Sequence, residues 1–317
     1  MKSTFRIESA GLAACDAAAA SVFLYSEPAD AEKDEILRLT ALEHGDLESI
    51  HDPDEVARLE HSEENLLLIW KRPDNVTRGK TIQFEVSSLG IVLAGRRLVF
   101  IVPHGELPLA GREFRKVASV EGCLLRMLLQ SVHQYQGHLK AIKLMSQELQ
   151  AKIVTSMENR YLLQMFALGE SLIYYHNALE ANSTVLAKLR TLFDKLKVPP
   201  DDLELLDDVI VENQQACKQA GIYSTVLSGL MDARGSIVNN NMNVLLKNLT
   251  VINVVFLPLN LVASIGGMSE FSMMTQGLHW AVSYGAFFAA MLLLGGLTWS
   301  WLTRVIEHRN FGANKTG

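Results

Sequence analysis

Two long apolar runs, residues 249–267 and 278–302, dominate the hydropathy of the chain and stand close together near its end. A bilayer core roughly 30 Å thick is crossed by about 20 apolar residues at 1.5 Å each, so each run predicts a transmembrane helix. The first run is interrupted in an ordered way by Thr250, Asn253, Pro258, Asn260 and Ser264. At 100° per residue, Thr250, Asn253, Asn260 and Ser264 fall within an arc of about 80°, with Asn243, Leu246 and Leu257 in or beside it. Ile252, Val255, Leu259 and Val262 take the opposite side. Polar groups in hydrocarbon are costly unless they face protein or water. The stripe therefore reads either as a seam between packed helices or as the lining of a pore that several copies surround. Pro258 has no N–H to donate, and bends the helix or frees a carbonyl near Val254.

Upstream, residues 203–248 contain no proline and place apolar or small residues at Leu206, Ile210, Cys217, Ala220, Leu227, Met231 and Val238, close to a three-four spacing. Pro199-Pro200-Asp201-Asp202 supplies a helix start. Running unbroken through the first span, this stalk helix would be roughly 97 Å long at 1.5 Å per residue. Residues 122–197 are also helical in pattern, with a break near Thr155, where Thr155-Ser156-Met157-Glu158 has the form of a capping box. The pattern changes in the first 120 residues. Short β-rich runs at 66–70, 81–86, 90–94 and 98–102 are separated by polar turns. Helices are expected at 31–43 and 54–60.

Charge and aromatic residues orient these elements. Lys247 precedes the first span, Arg304, Arg309 and Lys315 follow the second, and Glu270 is the only charge of the connecting loop. By the positive-inside rule both termini are cytoplasmic and the loop is external. Trp280, Tyr284, Trp299 and Trp301 sit near the ends of the second span, as interfacial belts require. Residues 1–20 have no long apolar core and do not read as a signal peptide. The predicted organisation is an α/β cytoplasmic domain (1–120), long cytoplasmic helices (121–202), a stalk helix (203–248), a first transmembrane helix (249–268), an external loop (269–277), a second transmembrane helix (278–302) and a cytoplasmic tail (303–317).

Composition narrows the chemistry. The net charge of −6 sits in the soluble part, with acidic clusters at Asp52-Asp54-Glu55, Glu63-Glu64, Asp201-Asp202 and Asp207-Asp208 that read as solvated faces. No basic patch interleaved with aromatics is present, which argues against nucleic acid. Neither a Walker loop nor a nucleophile motif occurs, so ATP-driven transport and enzymatic catalysis are not expected, and no organic cofactor is implied. Cys15, Cys123 and Cys217 form no CxxC pair and read as reduced thiols. His44, His51 and His61 lie near acidic residues at spacings that suit no common metal motif. His133 and His138 are five apart and do not share a helix face, while His279 marks the external membrane edge.

The stretch 228–269 resembles the CorA family of divalent-cation channels. Met242-Asn243-Val244-Leu245-Leu246-Lys247-Asn248-Leu249-Thr250 looks like that family's stalk-to-membrane junction. Phe256-Leu257-Pro258-Leu259 matches the middle of its first transmembrane helix, and Gly267-Met268-Ser269 falls where the family carries Gly-Met-Asn. The resemblance implies a funnel-shaped homopentamer in the cell (inner) membrane, with self, membrane lipid and divalent metal ions as partners. It implies that Asn243 forms a polar ring at the cytosolic mouth, that Leu246 and Leu249 form a hydrophobic constriction, and that Leu257 and Asn260 lie at mid-pore rings. Thr250, Asn253 and Ser264 complete the pore-lining stripe, and Gly267, Met268, Ser269 and Glu270 form the ion entrance. Asp208 and Asp232 align with carboxylates that bind regulatory magnesium between subunits.

The chain departs from the family at Ser269, which replaces an asparagine whose amide carbonyl faces the hydration shell of the arriving ion. Mg²⁺ gives up water reluctantly, so neutral oxygens that read its outer shell are the fitting recognition chemistry. A serine hydroxyl also accepts hydrogen bonds but reaches less far. Three functions stay open on this sequence: a channel for magnesium or for cobalt, nickel or zinc; a proton-coupled zinc transporter of the same superfamily; and a non-transporting membrane scaffold that keeps the fold.

Overall fold

The computed structural model describes residues 1–8, 11–62, 65–78, 81–109, 114, 117–155, 159–274, 276–277 and 279–313. Glu63-Glu64, the Ser156-Met157-Glu158 part of the expected capping box, Leu278 and Lys315 lie outside them. The chain separates into two compact units, Met1–Met231 and Asp232–Gly317.

The first unit is built on a seven-stranded sheet. Its strands are β1 (Lys2–Glu8), β2 (Gly11–Ala14), β3 (Val22–Ser26), β4 (Arg58–His61), β5 (Leu66–Arg78), β6 (Thr81–Ala94) and β7 (Arg97–Val102). They lie in the order β2-β1-β3-β7-β6-β5-β4, with β3 and β7 parallel and every other pair antiparallel. Alternation along the strands feeds two cores. Leu66, Leu68 and Trp70 of β5 and Leu98, Phe100 and Val102 of β7 point to one face. Leu67 and Ile69 of β5 and Val99 and Ile101 of β7 point to the other. The smaller face is covered by α1 (Asp30–Thr40) and α2 (His44–His51), whose Ile36, Leu47 and Ile50 are buried there. Gly90 of β6 admits Ile50, since a Cβ at that position would lie 2.6 Å from the Ile50 side chain. The larger face is covered by α3 (Val120–Thr155) and α4 (Asn159–Leu196). The N-terminal part of α5 (Pro200–Gly266) packs on these through Leu206, Val209, Ala216, Ala220 and Leu227. The uninterrupted helix through residues 203–266 follows the sequence pattern.

The helix expected at 54–60 does not form. Pro53 follows the end of α2, the Asp52 carboxylate accepts the Asp54 N–H at 2.9 Å in an Asx turn, and Arg58–His61 runs as β4 against β5. Sequence reading also takes β5 and β6 as short runs and leaves out β1–β3 and α2.

β4 covers β5 only from Leu66 to Ile69, so the outer edge of β5 is open beyond that point. The Lys71 backbone on this edge is met by a side chain acting as a substitute strand. Asn182 of α4 accepts the Lys71 N–H (3.1 Å) and donates to its carbonyl (2.7 Å). Tyr135 of α3 donates to the same carbonyl (3.2 Å), and Trp70 donates to Ser131 (2.9 Å). Four hydrogen bonds thus tie β5 to both long helices.

Candidate ion path

The second unit contains the C-terminal part of α5, a short α6 (Ser269–Met274) and α7 (Trp280–Ala313). Pro200–Gly266 and Trp280–Leu302 are the two helices long and apolar enough to cross a membrane among the described residues. Within the unit, α5 turns one face to α7. Val251, Pro258, Leu259 and Val262 are half-buried, and Val255 and Gly266 are buried. A Cβ on Gly266 would lie 2.4 Å from the Phe287 ring, and one on Gly295 would lie 3.4 Å from Leu259, so these glycines let the two helices close together. Ser283 of α7 is also buried.

The polar stripe takes the other side. Asn243, Leu246, Leu249, Thr250, Asn253, Leu257, Asn260 and Ser264 are all exposed on α5. The stripe is therefore not a seam within the chain's own hairpin. Of its groups, the Thr250 hydroxyl returns to the helix, donating to the Leu246 carbonyl at 2.8 Å. Pro258 sits inside the continuous helix.

At the end of α5 the backbone closes on itself. Gly267 N–H donates to the carbonyls of Ala263 (3.1 Å) and Ser264 (3.2 Å), and Met268 N–H to that of Ile265 (3.1 Å). Gly267, Met268 and Ser269 are exposed, while the Glu270 side chain lies outside the described residues. The segment expected as loop 269–277 opens with six residues of helix, because Ser-Glu-Phe-Ser-Met-Met holds no glycine or proline to interrupt it. His279 caps the start of α7, its Nδ1 accepting the Ala281 N–H at 3.4 Å.

Asp208 and Asp232 are both exposed on α5. Among the described residues no three His, Cys, Asp or Glu side chains gather where they could hold a metal ion, so these two carboxylates do not complete a site within one chain. The neighbouring Asp207 is engaged by Arg190 Nε at 2.7 Å. Two histidines are held in structural contacts. His51 Nδ1 lies 2.7 Å from the Leu47 carbonyl. His138 packs against Phe84 with its Nδ1 2.6 Å from the Tyr175 hydroxyl, and burial pushes its pKa below the usual value. Sequence spacing carries no signal for this last cluster, because Phe84, Tyr135, His138 and Tyr175 come from three separate elements.

Comparison with known proteins agrees with this architecture. The family model described as CorA-like Mg2+ transporter protein matches residues 23–304. The cobalt/magnesium transport protein CorA of Methanocaldococcus jannaschii is 24% identical over 256 residues, 77% of this chain and 78% of that protein. The complete structure of the CorA magnesium transporter from the same organism superposes with a TM-score of 0.75 at 20% identity, covering 96% of each chain. Full-length CmaX gives 0.69 at 12% identity over 96% of this chain and 97% of its own. The ZntB cytoplasmic domain from Vibrio parahaemolyticus gives 0.59 at 9% identity over 75% of this chain and 98% of its own. The α/β domain, the long helix and the two apolar helices are thus a shared fold, and the family is one of transporters, not enzymes. With the family model spanning most of its length, the chain belongs to the CorA-like Mg²⁺ transporter family.

Proposed function

We propose that the chain is the subunit of a divalent-cation channel in the cell membrane, working as a homopentamer with both termini in the cytoplasm and the first transmembrane helix lining the pore. The observation that carries this reading is the open polar stripe of α5. α7 covers the opposite side, and the stripe is left for other copies to surround. Rings of Asn243, Asn253 and Asn260 would offer neutral amide oxygens to a hydrated ion, which suits a cation that keeps its water. Leu246 and Leu249 between them would form an apolar collar that closes by excluding water. Gly267, Met268, Ser269 and Glu270 would form the entrance, and Asp208 and Asp232 would bind a regulatory cation only when a second subunit adds ligands. Magnesium, cobalt, nickel and zinc are the candidate ions, since Ser269 offers a shorter acceptor than the family's asparagine. That same residue supports a second reading, proton-coupled zinc transport.

The test is uptake of Mg²⁺, Zn²⁺, Co²⁺ and Ni²⁺ into vesicles holding the purified protein, with and without a pH gradient. The channel reading expects saturable flux without a pH gradient, reduced in Asn260→Leu and altered in ion preference in Ser269→Ala. Flux that needs the pH gradient selects the second reading. Absence of flux for every ion selects the scaffold and overturns both.

A further inference from the structure

The α/β unit holds a cavity of its own, distant in sequence from both apolar helices. It forms where β4 begins only at Arg58 and residues 53–57 swing away from the open edge of β5, leaving a space of about 570 Å³ between that segment, β6 and α4. This volume lies in the range of small-molecule sites.

Three features define what fits. The first is charge: Asp54, Glu55, Glu85 and Glu170 line the space against a single ammonium, Lys71. Glu55 is ion-paired with Arg58. The Lys71 ammonium is buried and donates to the Pro53 carbonyl and the Ser88 hydroxyl, both at 2.9 Å. Burial lowers its pKa, while Asp52, Glu55 and Asp54 oppose that shift, so its charge is already answered from the side of residues 52–55. Glu170 on α4 adds a further negative charge to the lining. The second is an orphaned acceptor: Gln83 lines the same space, and its Oε1 is closed off from solvent with no hydrogen-bond partner, so it meets a donor only when the side chain turns into the cavity. Such an oxygen weakens the fold until a donor meets it. The third is the wall, where Val56, Phe84, Val86, Tyr174 and Ala178 present apolar surface. A hydrated metal ion fits poorly. Its shell of water finds no partner on the apolar wall and would leave that wall uncovered.

We propose that this cavity binds a small organic cation of the aliphatic di- or triamine class. Its ammonium donates to Gln83 Oε1 and the Glu170 carboxylate, and its methylenes lie on Phe84 and Tyr174. Tyr174 is 55% exposed at the rim, where its ring face is open to a cation.

The experiment is calorimetric titration of the full-length protein in detergent with 1,4-diaminobutane and with spermidine, alongside its melting temperature without ligand. Binding is read without any transport, so its outcome is separate from that of the ion path. The expected result is saturable binding of at least one amine. Glu170→Gln weakens it about tenfold or more by removing a charge-assisted contact. Ala167→Leu, at a half-buried position of α4 on the cavity, weakens it by filling space. Gln83→Leu also weakens it and raises the melting temperature of the free protein, because the orphaned oxygen is gone. Glu148→Gln, an exposed residue outside the cavity paired with Lys152, leaves binding unchanged. The proposal is overturned if neither amine binds, if binding is the same in Gln83→Leu, Glu170→Gln and Ala167→Leu, or if Mg²⁺ at equal concentration displaces the amine and so claims the site for a metal.

Discussion

Asn182→Leu tests whether one side-chain amide stands in for the missing strand beside β5. Asn182 is fully buried, accepts the Lys71 N–H at 3.1 Å and donates to the Lys71 carbonyl at 2.7 Å. Leucine is similar in size but removes both bonds. The carbonyl keeps Tyr135 as a donor, whereas the N–H is left buried and unmet. Stranding that donor costs about 1–3 kcal/mol, and the lost bond to the carbonyl adds about 1 kcal/mol. The sum, about 2–4 kcal/mol, corresponds to a roughly 30- to 700-fold fall in protection of the Lys71 amide against hydrogen exchange where local opening dominates. Hydrogen exchange on the full-length protein in detergent reads this directly. Tyr135→Phe alone removes only the second donor to the carbonyl, so it costs about 0.5–1.5 kcal/mol. Together the two substitutions orphan the carbonyl as well, and their joint effect exceeds the sum of the single ones. Lys71 protection unchanged in Asn182→Leu, or strict additivity of the pair, would refute the reasoning.

Three further outcomes follow from buried groups. Gly266→Leu forces a side chain into the Phe287 ring and lowers the melting temperature in detergent, with Phe287→Ala in the same chain restoring part of the loss; an unchanged melting temperature would show that the two helices do not need the close approach. Burial pushes the Cys123 thiol up to about 12, leaving on the order of 10⁻⁵ of it as thiolate at neutral pH. A maleimide followed by mass spectrometry therefore labels half-exposed Cys15 first and Cys123 only in denaturant, and equal native labelling would contradict the packing. His138 is held below its ordinary pKa of 6.5 chiefly by burial, with Asp74 opposing. The unfolded chain thus takes up the proton first: the stabilisation is complete above about pH 6.5 and is lost as pH falls through the lower folded value. Melting temperature against pH shows this decline, and His138→Gln flattens it; a slope identical in the variant would place the titration elsewhere.

Where periodicity is strong, sequence and structure coincide. The apolar spans and the stripe opposite Val255, Leu259 and Val262 rest on local repeats that a helix must obey. Strand boundaries depend on neighbours instead. Pro73-Asp74-Asn75 reads as a turn, yet it lies inside β5, because residue 73 shares the outward parity of Lys71, where no partner strand needs an N–H. Lys2–Glu8 alternates charged or polar residues with Phe5 and Ile7 and is too polar to stand out, so β1 is secured mainly by pairing with β2 and β3. The segment 54–60 carries helix-forming residues, but the pairing of β4 with β5 overrides that preference. Within the candidate site, residue placement on α5 is readable from the wheel, whereas the cavity beside α4 arises because β4 begins only at Arg58, which no local pattern announces.

The unfinished edge of β5 also bears on how copies of this chain meet. A bare strand edge is a template onto which another chain can zip. Here the edge is spoiled at successive positions. Lys71 is occupied by Asn182, and Pro73, the next residue of the same parity, has no N–H to give. Residues 71 and 73 thus offer an incoming strand no N–H to pair with, and this stretch of β5 is closed to a further strand.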